Sequence, residues 1–385
     1  MPAIVVEPAC ADEEREAVHR AVQALANGGL VAFPTETVYG VAANALDESA
    51  VAKLLAAKGR APGNPLTLAV RHADETLDHC ARVSAVAGRL ARRCWPGPLT
   101  LVVADVPADG LSVRLPTSVR QAVSPAGTIG LRMPDHRYIL SAMQSLDGPL
   151  VLTSANRSGQ ADTVCAEDVV KALGDHLELV ISDGRAKYGQ PSTVVRVVGN
   201  QVEILRHGAL SESALRRSAS LIVLLVCTGN TCRSPMGQVL FEKRIADKLS
   251  CPVDEVEDHG VMVASAGVAA ASGGRASAEA AQSMNQRSLD LSEHETQCVS
   301  DSLVGHADLI LTMTSGHRDT IVAQWPDAAG KTSLLCRDGG EISDPIGGAV
   351  GLYVHCADQM DAHLRDWMED IDWESIPKFR DTIRE

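Results

Sequence analysis

Short apolar, β-branched runs alternate along the chain with amphipathic stretches of ten to fifteen residues. Repeated switching between a period near two and one near 3.6 predicts α/β architecture. The first amphipathic stretch begins at Asp12, placed to cap a helix, and runs through Asn27; Gly28 and Gly29 close it before a strand from Leu30 to Phe33. Further strands are predicted at Leu66 to Val70, Leu99 to Val103, Ile129 to Met133, Leu150 to Thr153, Val194 to Val198 and Val202 to Leu205. His207 to Ser220 is small and polar and reads as a short helix with a linker. The alternation then restarts at Leu221 to Val226 and continues at Val261 to Ser265, Leu309 to Thr312 and Thr332 to Leu335. The pattern predicts two domains, 1–212 and 220–385, with no internal repeat.

Composition narrows the class. At 385 residues the chain exceeds one ordinary core, and 45% hydrophobic residues allow each half its own. Glu7 interrupts the start, where a secretory leader needs a basic residue and an apolar run. The longest apolar run, Leu221 to Cys227, falls far short of the ~20 residues that cross a bilayer. Ten dispersed cysteines fit a reduced setting better than a disulfide framework. These features predict a soluble cytoplasmic protein with no membrane partner. A formal charge of -14 and only eleven aromatic residues argue against extensive direct nucleic-acid binding.

The sharpest chemistry lies in VCTGNTCRSP, Val226 to Pro235. A zinc site would need paired cysteines at closer spacing and a second pair, so no metal site is expected. A disulfide between Cys227 and Cys232 would be unusual in a reducing compartment. A phosphate cradle fits best. An apolar strand enters C-x5-R, and Ser234 and Pro235 open a helix whose first amides bind anions. Gly229 supplies backbone freedom, and Arg233 offers a planar fork to phosphoryl oxygens. That positive field favours an ionised, nucleophilic Cys227. Asp344, in the turn SDPIGG, could protonate the leaving group, although Asp-Pro is also simply a turn former.

With SAG at 265–267, DLILTMT at 308–314 and the Asp344-Pro345 pair, this stretch resembles the low-molecular-weight protein tyrosine phosphatase family over about 221–375. The resemblance implies a doubly wound, Rossmann-like parallel sheet. It also implies Cys227 as the nucleophile that becomes phosphorylated, Arg233 as phosphate binder and Asp344 as general acid. Thr228, Gly229, Asn230, Thr231, Cys232 and Ser234 would support the loop, with Cys232 able to protect Cys227 through a reversible disulfide. No cofactor is implied. Thr231 stands where tyrosine phosphatases carry a bulky aliphatic residue, and Ile346-Gly347-Gly348 replaces their aromatic wall. These departures resemble the protein-arginine-phosphatase branch, so phosphoarginine is the expected substrate and phosphotyrosine the alternative. A third reading is a scaffold that binds phosphoprotein without turnover.

In the first half, GLVAFPTETVYGVAA at 29–43 joins a strand to a hydroxyl-rich turn, and Lys58 and Arg60 sit in a loop bounded by Pro62, Gly63 and Pro65. Two cations so placed could hold a polyphosphate or merely complete a helix C-terminus. Arg132, Asn156, Ser192 and Arg206 fall at strand ends, where α/β ligand sites gather. The ordered set PTETVYG, KGR, NPL, WPGPLT, LRMP, TSAN, STVV and ILRHG resembles the YrdC-like threonylcarbamoyl-AMP synthase family over about 10–210. The resemblance implies a twisted-sheet α/β domain joining L-threonine, bicarbonate and ATP, with Mg2+ accompanying the nucleotide. The product would feed the tRNA threonylcarbamoyl-transfer machinery. Thr37, Thr128, Arg132, Ser154 and Ser192 would line the threonine side; Lys58, Arg60, Asn64, Asn156 and Arg206 would face the nucleotide. Ala69 replaces a histidine frequent in that family, which puts one threonine contact in doubt. The alternative is a non-catalytic RNA-binding module.

Overall fold

The computed structural model describes residues 3–60, 63–80, 83–104 and 110–380; Pro62 lies outside them. Contacts divide the chain into a first unit, 1–218 with 378–385, and a second, 219–377.

In the first unit, ten strands precede the chain's crossing into the second. They are β1 (Ile4–Val6), β2 (Val31–Phe33), β3 (Gly40–Asn44), β4 (Thr67–Ala69), β5 (Leu99–Ala104), β6 (Thr128–Arg132), β7 (Leu150–Ser154), β8 (Leu179–Ile181), β9 (Thr193–Val198) and β10 (Gln201–Arg206). They form one mixed sheet in the order β1-β8-β2-β3-β7-β4-β6-β5-β9-β10. The opening helix spans Ala11–Ala26 and buries Ala17, Ala21 and Leu25, a stripe at i, i+4 and i+8. These pack with the helix Arg137–Gln144 against Val31, Phe33, Leu179 and Ile181. Asp12 does not cap the helix: the N-cap is Cys10, without a side-chain hydrogen bond, and Asp12 joins Glu13 and Glu14 in the first turn. There, negative charge complements the helix dipole. At the far end Gly28 takes φ 73°, a left-handed conformation that glycine adopts without steric cost.

The second unit holds a four-stranded, all-parallel sheet of β11 (Leu221–Cys227), β12 (Val261–Gly267), β13 (Leu309–Thr312) and β14 (Thr332–Leu334), ordered β12-β11-β13-β14. This is a doubly wound order that reverses direction beside β11, where such folds open a crevice past the carboxyl ends of the strands. The apolar run of β11 is buried on both faces, as parallel strands are. Leu221, Val223, Leu225 and Cys227 join the core packed by the helices Arg233–Leu249 and Val350–Asp370. Leu224 and Val226 join Ile310 and Ile321 on the other face.

A last strand, β15 (Lys378–Phe379), pairs in parallel with β10 and becomes the eleventh strand of the first unit's sheet. The Arg216 guanidinium lies 4.4 Å from the centre of the Phe379 ring. The sequence places this tail with the second half; its backbone hydrogen bonds go instead to Asn200 and Val202. No described helix is long and apolar enough to cross a membrane.

Candidate active sites

In the first unit a cavity of about 500 Å³ lies over one face of five adjacent strands, β7-β4-β6-β5-β9. Alternation along β6 brings Thr128, Gly130 and Arg132 to that face, and along β5 it brings Thr100 and Val102. Thr67, Leu152, Ser154 and Val194 complete the floor. Register Thr67↔Gly130 and Thr67↔Leu152 places Arg132 at one end of the floor and Ser154 at the other. The candidate residues therefore span a sheet face and do not cluster on one rim of strand ends.

Three guanidiniums surround this floor. Arg60 is held by Asn64 O (3.1 Å), Pro65 O (2.6 Å) and Thr153 Oγ1 (3.3 Å). Arg206 donates to Ser192 O at 2.8 and 3.1 Å and to Ser192 Oγ at 3.0 Å; Ser192 Oγ in turn meets Thr100 Oγ1 at 2.8 Å. Arg132 donates to Glu36 Oε1 at 2.6 Å and Thr37 Oγ1 at 2.7 Å, and its buried Nε has no partner. Burial lowers the proton affinity of Arg60 and Arg206, and Arg132 and Arg60 repel the charge on Arg206. Such a cluster gains most from an anion.

Arg60, Asn64, Thr128, Arg132, Ser154, Ser192 and Arg206 all line the cavity. Thr37, Lys58 and Asn156 stand behind it. Thr37 braces Arg132. Lys58 Nζ donates to Ser154 O and Asn156 O, both at 2.6 Å, and to Asn156 Oδ1 at 3.1 Å. Its donors are spent on positioning the turn after β7, and burial, then Arg60, pulls its pKa down to about 8. The sequence reading passed over Glu36, which fixes Arg132 and accepts from the Asp135 amide at 2.9 Å. Its signal was present in PTETVYG: a carboxylate in a hydroxyl-rich apolar turn needs a buried cation. Ala69 is buried in β4, paired with Arg132 and Leu150.

In the second unit the loop 227–233 joins β11 to the helix Arg233–Leu249 at the carboxyl end of the sheet. Cys227 Sγ lies 3.0 Å from Ser234 Oγ and accepts from the Asn230 amide at 3.2 Å. Asn230 is left-handed, φ 56°, and buried. It donates to Ser234 Oγ (2.9 Å) and Ser265 Oγ (3.0 Å), and accepts from the Gln297 amide (2.9 Å). His294 Nε2 meets Asn230 O at 2.8 Å. These bonds offset the cost of a left-handed asparagine.

Arg233 is buried, ion-paired to Asp344 at 2.5 Å and hydrogen-bonded to Ile342 O at 3.3 Å. The loop that holds Cys227 and the turn that holds Asp344 thus meet at Arg233. Thr228 Oγ1 meets His317 Nε2 at 2.8 Å, whose Nδ1 meets Thr314 Oγ1 at 2.9 Å. Burial, then the charge of Arg233, lowers the proton affinity of this histidine. Cys232 Sγ turns toward Ser277 Oγ (3.4 Å) and the Tyr353 hydroxyl (3.7 Å), and all ten cysteines are free thiols. Thr231 is half-buried and passes its carbonyl to the Ser277 amide. Ile346, beside Asp344, is 70% exposed and forms no wall.

Comparison with known proteins agrees with both halves. Residues 23–208 match the Sua5/YciO/YrdC family profile, described as telomere recombination, and 222–376 match low molecular weight phosphotyrosine protein phosphatase. The threonylcarbamoyl-AMP synthase of Pyrococcus abyssi is 37% identical over 183 residues, 48% of this chain and 51% of that one. The putative threonylcarbamoyl-AMP synthase of Mycobacterium tuberculosis H37Rv is 37% identical over 207 residues, 52% of this chain and 89% of that one. Against the Pyrococcus relative, the chain thus spans about half the length. Among solved structures, the YwlE arginine phosphatase from Geobacillus stearothermophilus is 34% identical, with a TM-score of 0.34; the match covers 39% of this chain and 92% of that one. The chain belongs to the Sua5/YciO/YrdC family through its first half, and residues 222–376 match the low molecular weight phosphotyrosine protein phosphatase family.

Proposed function

We propose that the chain is a bifunctional cytoplasmic enzyme. Its first unit makes threonylcarbamoyl-AMP from L-threonine, bicarbonate and Mg-ATP for tRNA t6A modification, and its second hydrolyses protein phosphoarginine. The observation that carries the first assignment is the ring of Arg60, Arg132 and Arg206 over a floor of hydroxyls and small residues. The unpartnered Arg132 Nε would receive the threonine carboxylate, and Arg60 and Arg206 the phosphates. The described lining holds no carboxylate, so Mg2+ would enter on the triphosphate as part of the substrate. The carbamate oxygen attacks the α-phosphorus and pyrophosphate leaves; positioning and charge neutralisation carry the rate. Release of pyrophosphate only when threonine and bicarbonate accompany ATP tests the reading. RNA binding without such release would replace it with the non-catalytic alternative.

In the second unit the Asn230 amide and the Ser234 hydroxyl meet Cys227 Sγ beside the N-terminus of the helix that begins at Arg233. Its thiolate would attack phosphorus while Asp344 protonates the departing guanidine nitrogen; water, deprotonated by Asp344, then cleaves the phosphocysteine to phosphate and thiolate. Phosphoarginine is preferred to phosphotyrosine because Thr231 offers a hydroxyl to a planar guanidinium and no aromatic wall follows Asp344. Thr231→Ile should shift the kcat/KM ratio toward phosphotyrosine by about tenfold or more; an unchanged ratio would remove the specificity argument. The spread of ten cysteines along the chain and the need for a reduced Cys227 support a reducing compartment. Partners would be the tRNA-modifying machinery and a phosphoprotein.

A further inference from the structure

Away from the phosphate loop, the Cys336 thiol, an Asp338 carboxylate oxygen and a His363 ring nitrogen lie within 4.8 Å of one another. Among the described residues this is the one place where three such side chains converge so closely. A tetrahedral zinc with bonds of ~2.3 Å to sulfur and ~2.0–2.2 Å to nitrogen and oxygen holds its ligands roughly 3.3–3.7 Å apart. The observed spacing therefore needs a closure of only about an ångström, within the reach of small side-chain rotations.

The two elements that supply the ligands are already fixed to each other. Gln359, His363 and Trp367 share one stripe of the helix Val350–Asp370. Gln359 donates to Glu341 O and Trp367 to Leu335 O, each at 3.0 Å. Arg337 reaches Asp366 O at 3.2 Å, pairs with Asp370 at 2.5 Å and lies 5.0 Å from the centre of the Trp367 ring. His363 thus faces 335–341 between two anchor points. Cys336 is buried, and Asp338 Oδ1 accepts from the Gly340 amide at 2.9 Å, a bond that orients a ligating carboxylate. From Glu341 the chain runs through Ile342, whose carbonyl accepts from Arg233, to Asp344.

We propose that Cys336, Asp338 and His363 form a site for a zinc-class divalent cation, with water as the fourth ligand, that fixes the segment carrying Asp344. The mixed sulfur, nitrogen and oxygen set selects a borderline metal over magnesium or calcium, which take oxygen ligands. Loading displaces the Cys336 thiol proton to solvent and leaves thiolate on the metal.

The test titrates chelator-treated full-length protein with Co2+, then Zn2+. One equivalent of cobalt should give a thiolate-to-cobalt charge-transfer band that zinc abolishes, and zinc should slow amide hydrogen exchange over 335–344. Cys336→Ser should lose the band. His363→Ala, a change on a half-buried helix surface, should weaken binding by at least about tenfold while leaving metal-free phosphatase activity unchanged. Cys227→Ser should keep the band. A band of equal affinity in Cys336→Ser and His363→Ala, its loss in Cys227→Ser, or no one-equivalent binding would overturn the proposal. If Cys336→Ser does not fold, the His363→Ala titration decides.

Discussion

A methyl group on Gly267 would lie 2.4 Å from Thr228 O and 2.9 Å from the Asn230 amide nitrogen, so the phosphate loop rests on this glycine. On Gly208 it would lie 2.3 Å from Pro191 O and 2.5 Å from Ser192 C, beneath the floor of the other site. Backbone cannot yield as a flexible side chain can, and misplacing a site by an ångström costs about a hundredfold in rate. Gly267→Ala should therefore lower phosphatase kcat/KM by about that factor and spare threonine-dependent pyrophosphate release. Gly208→Ala should do the reverse, measured by the same two assays. Both glycines stood in motifs visible from sequence, SAG and ILRHG; Cys227 and Arg233 were picked out together by the fixed spacing of their loop, and Asp344 by its Asp-Pro turn. Glu36 and the Cys336, Asp338 and His363 group were not. The metal-type group sets Cys336 and Asp338, two positions apart, against His363, 25 positions beyond Asp338, and only packing of a helix on a loop brings them together.

At the scale of elements, the helix Arg233–Leu249 links the loop of Cys227 to a remote carboxyl group. Glu242 accepts from Gln238, Gln238 accepts from Ser265, and Ser265 meets Asn230 and thereby Ser234. Burial pushes the Glu242 pKa from 4.5 up to about 7. A raised carboxyl pKa contributes stability that is complete below about pH 4.5 and is lost as pH rises through about 7. The penalty at higher pH is on the order of 3 kcal/mol. Glu242→Gln should thus raise the unfolding midpoint above pH 7, with the gain vanishing near pH 4; a gain of the same size at both would refute the assignment. Long apolar strands such as β5, β7 and β11 were legible from periodicity. The three-residue strands β1 and β8 are too short to show a period, and β3 was submerged in the apolar run after Tyr39. The helix Glu212–Ala219 matches the short helix expected in the linker.

For the whole molecule, two complete cores and two separate constellations imply independent chemistry. Arg206→Ala should remove threonine-dependent pyrophosphate release and leave phosphatase kcat/KM within about twofold, as expected for sites that share no residues. Removing 378–385 strips β15 from the first unit's sheet, and should lower the unfolding midpoint of that unit by a few degrees, a loss of about 1 kcal/mol. The direct test of the account is rapid acid quench of the full chain with labelled phosphoarginine peptide, followed by mapping of the phosphate. The account predicts label on Cys227, accumulating in Asp344→Ala and absent from Cys227→Ser. Turnover that continues in Cys227→Ser, or label on another residue, would contradict it.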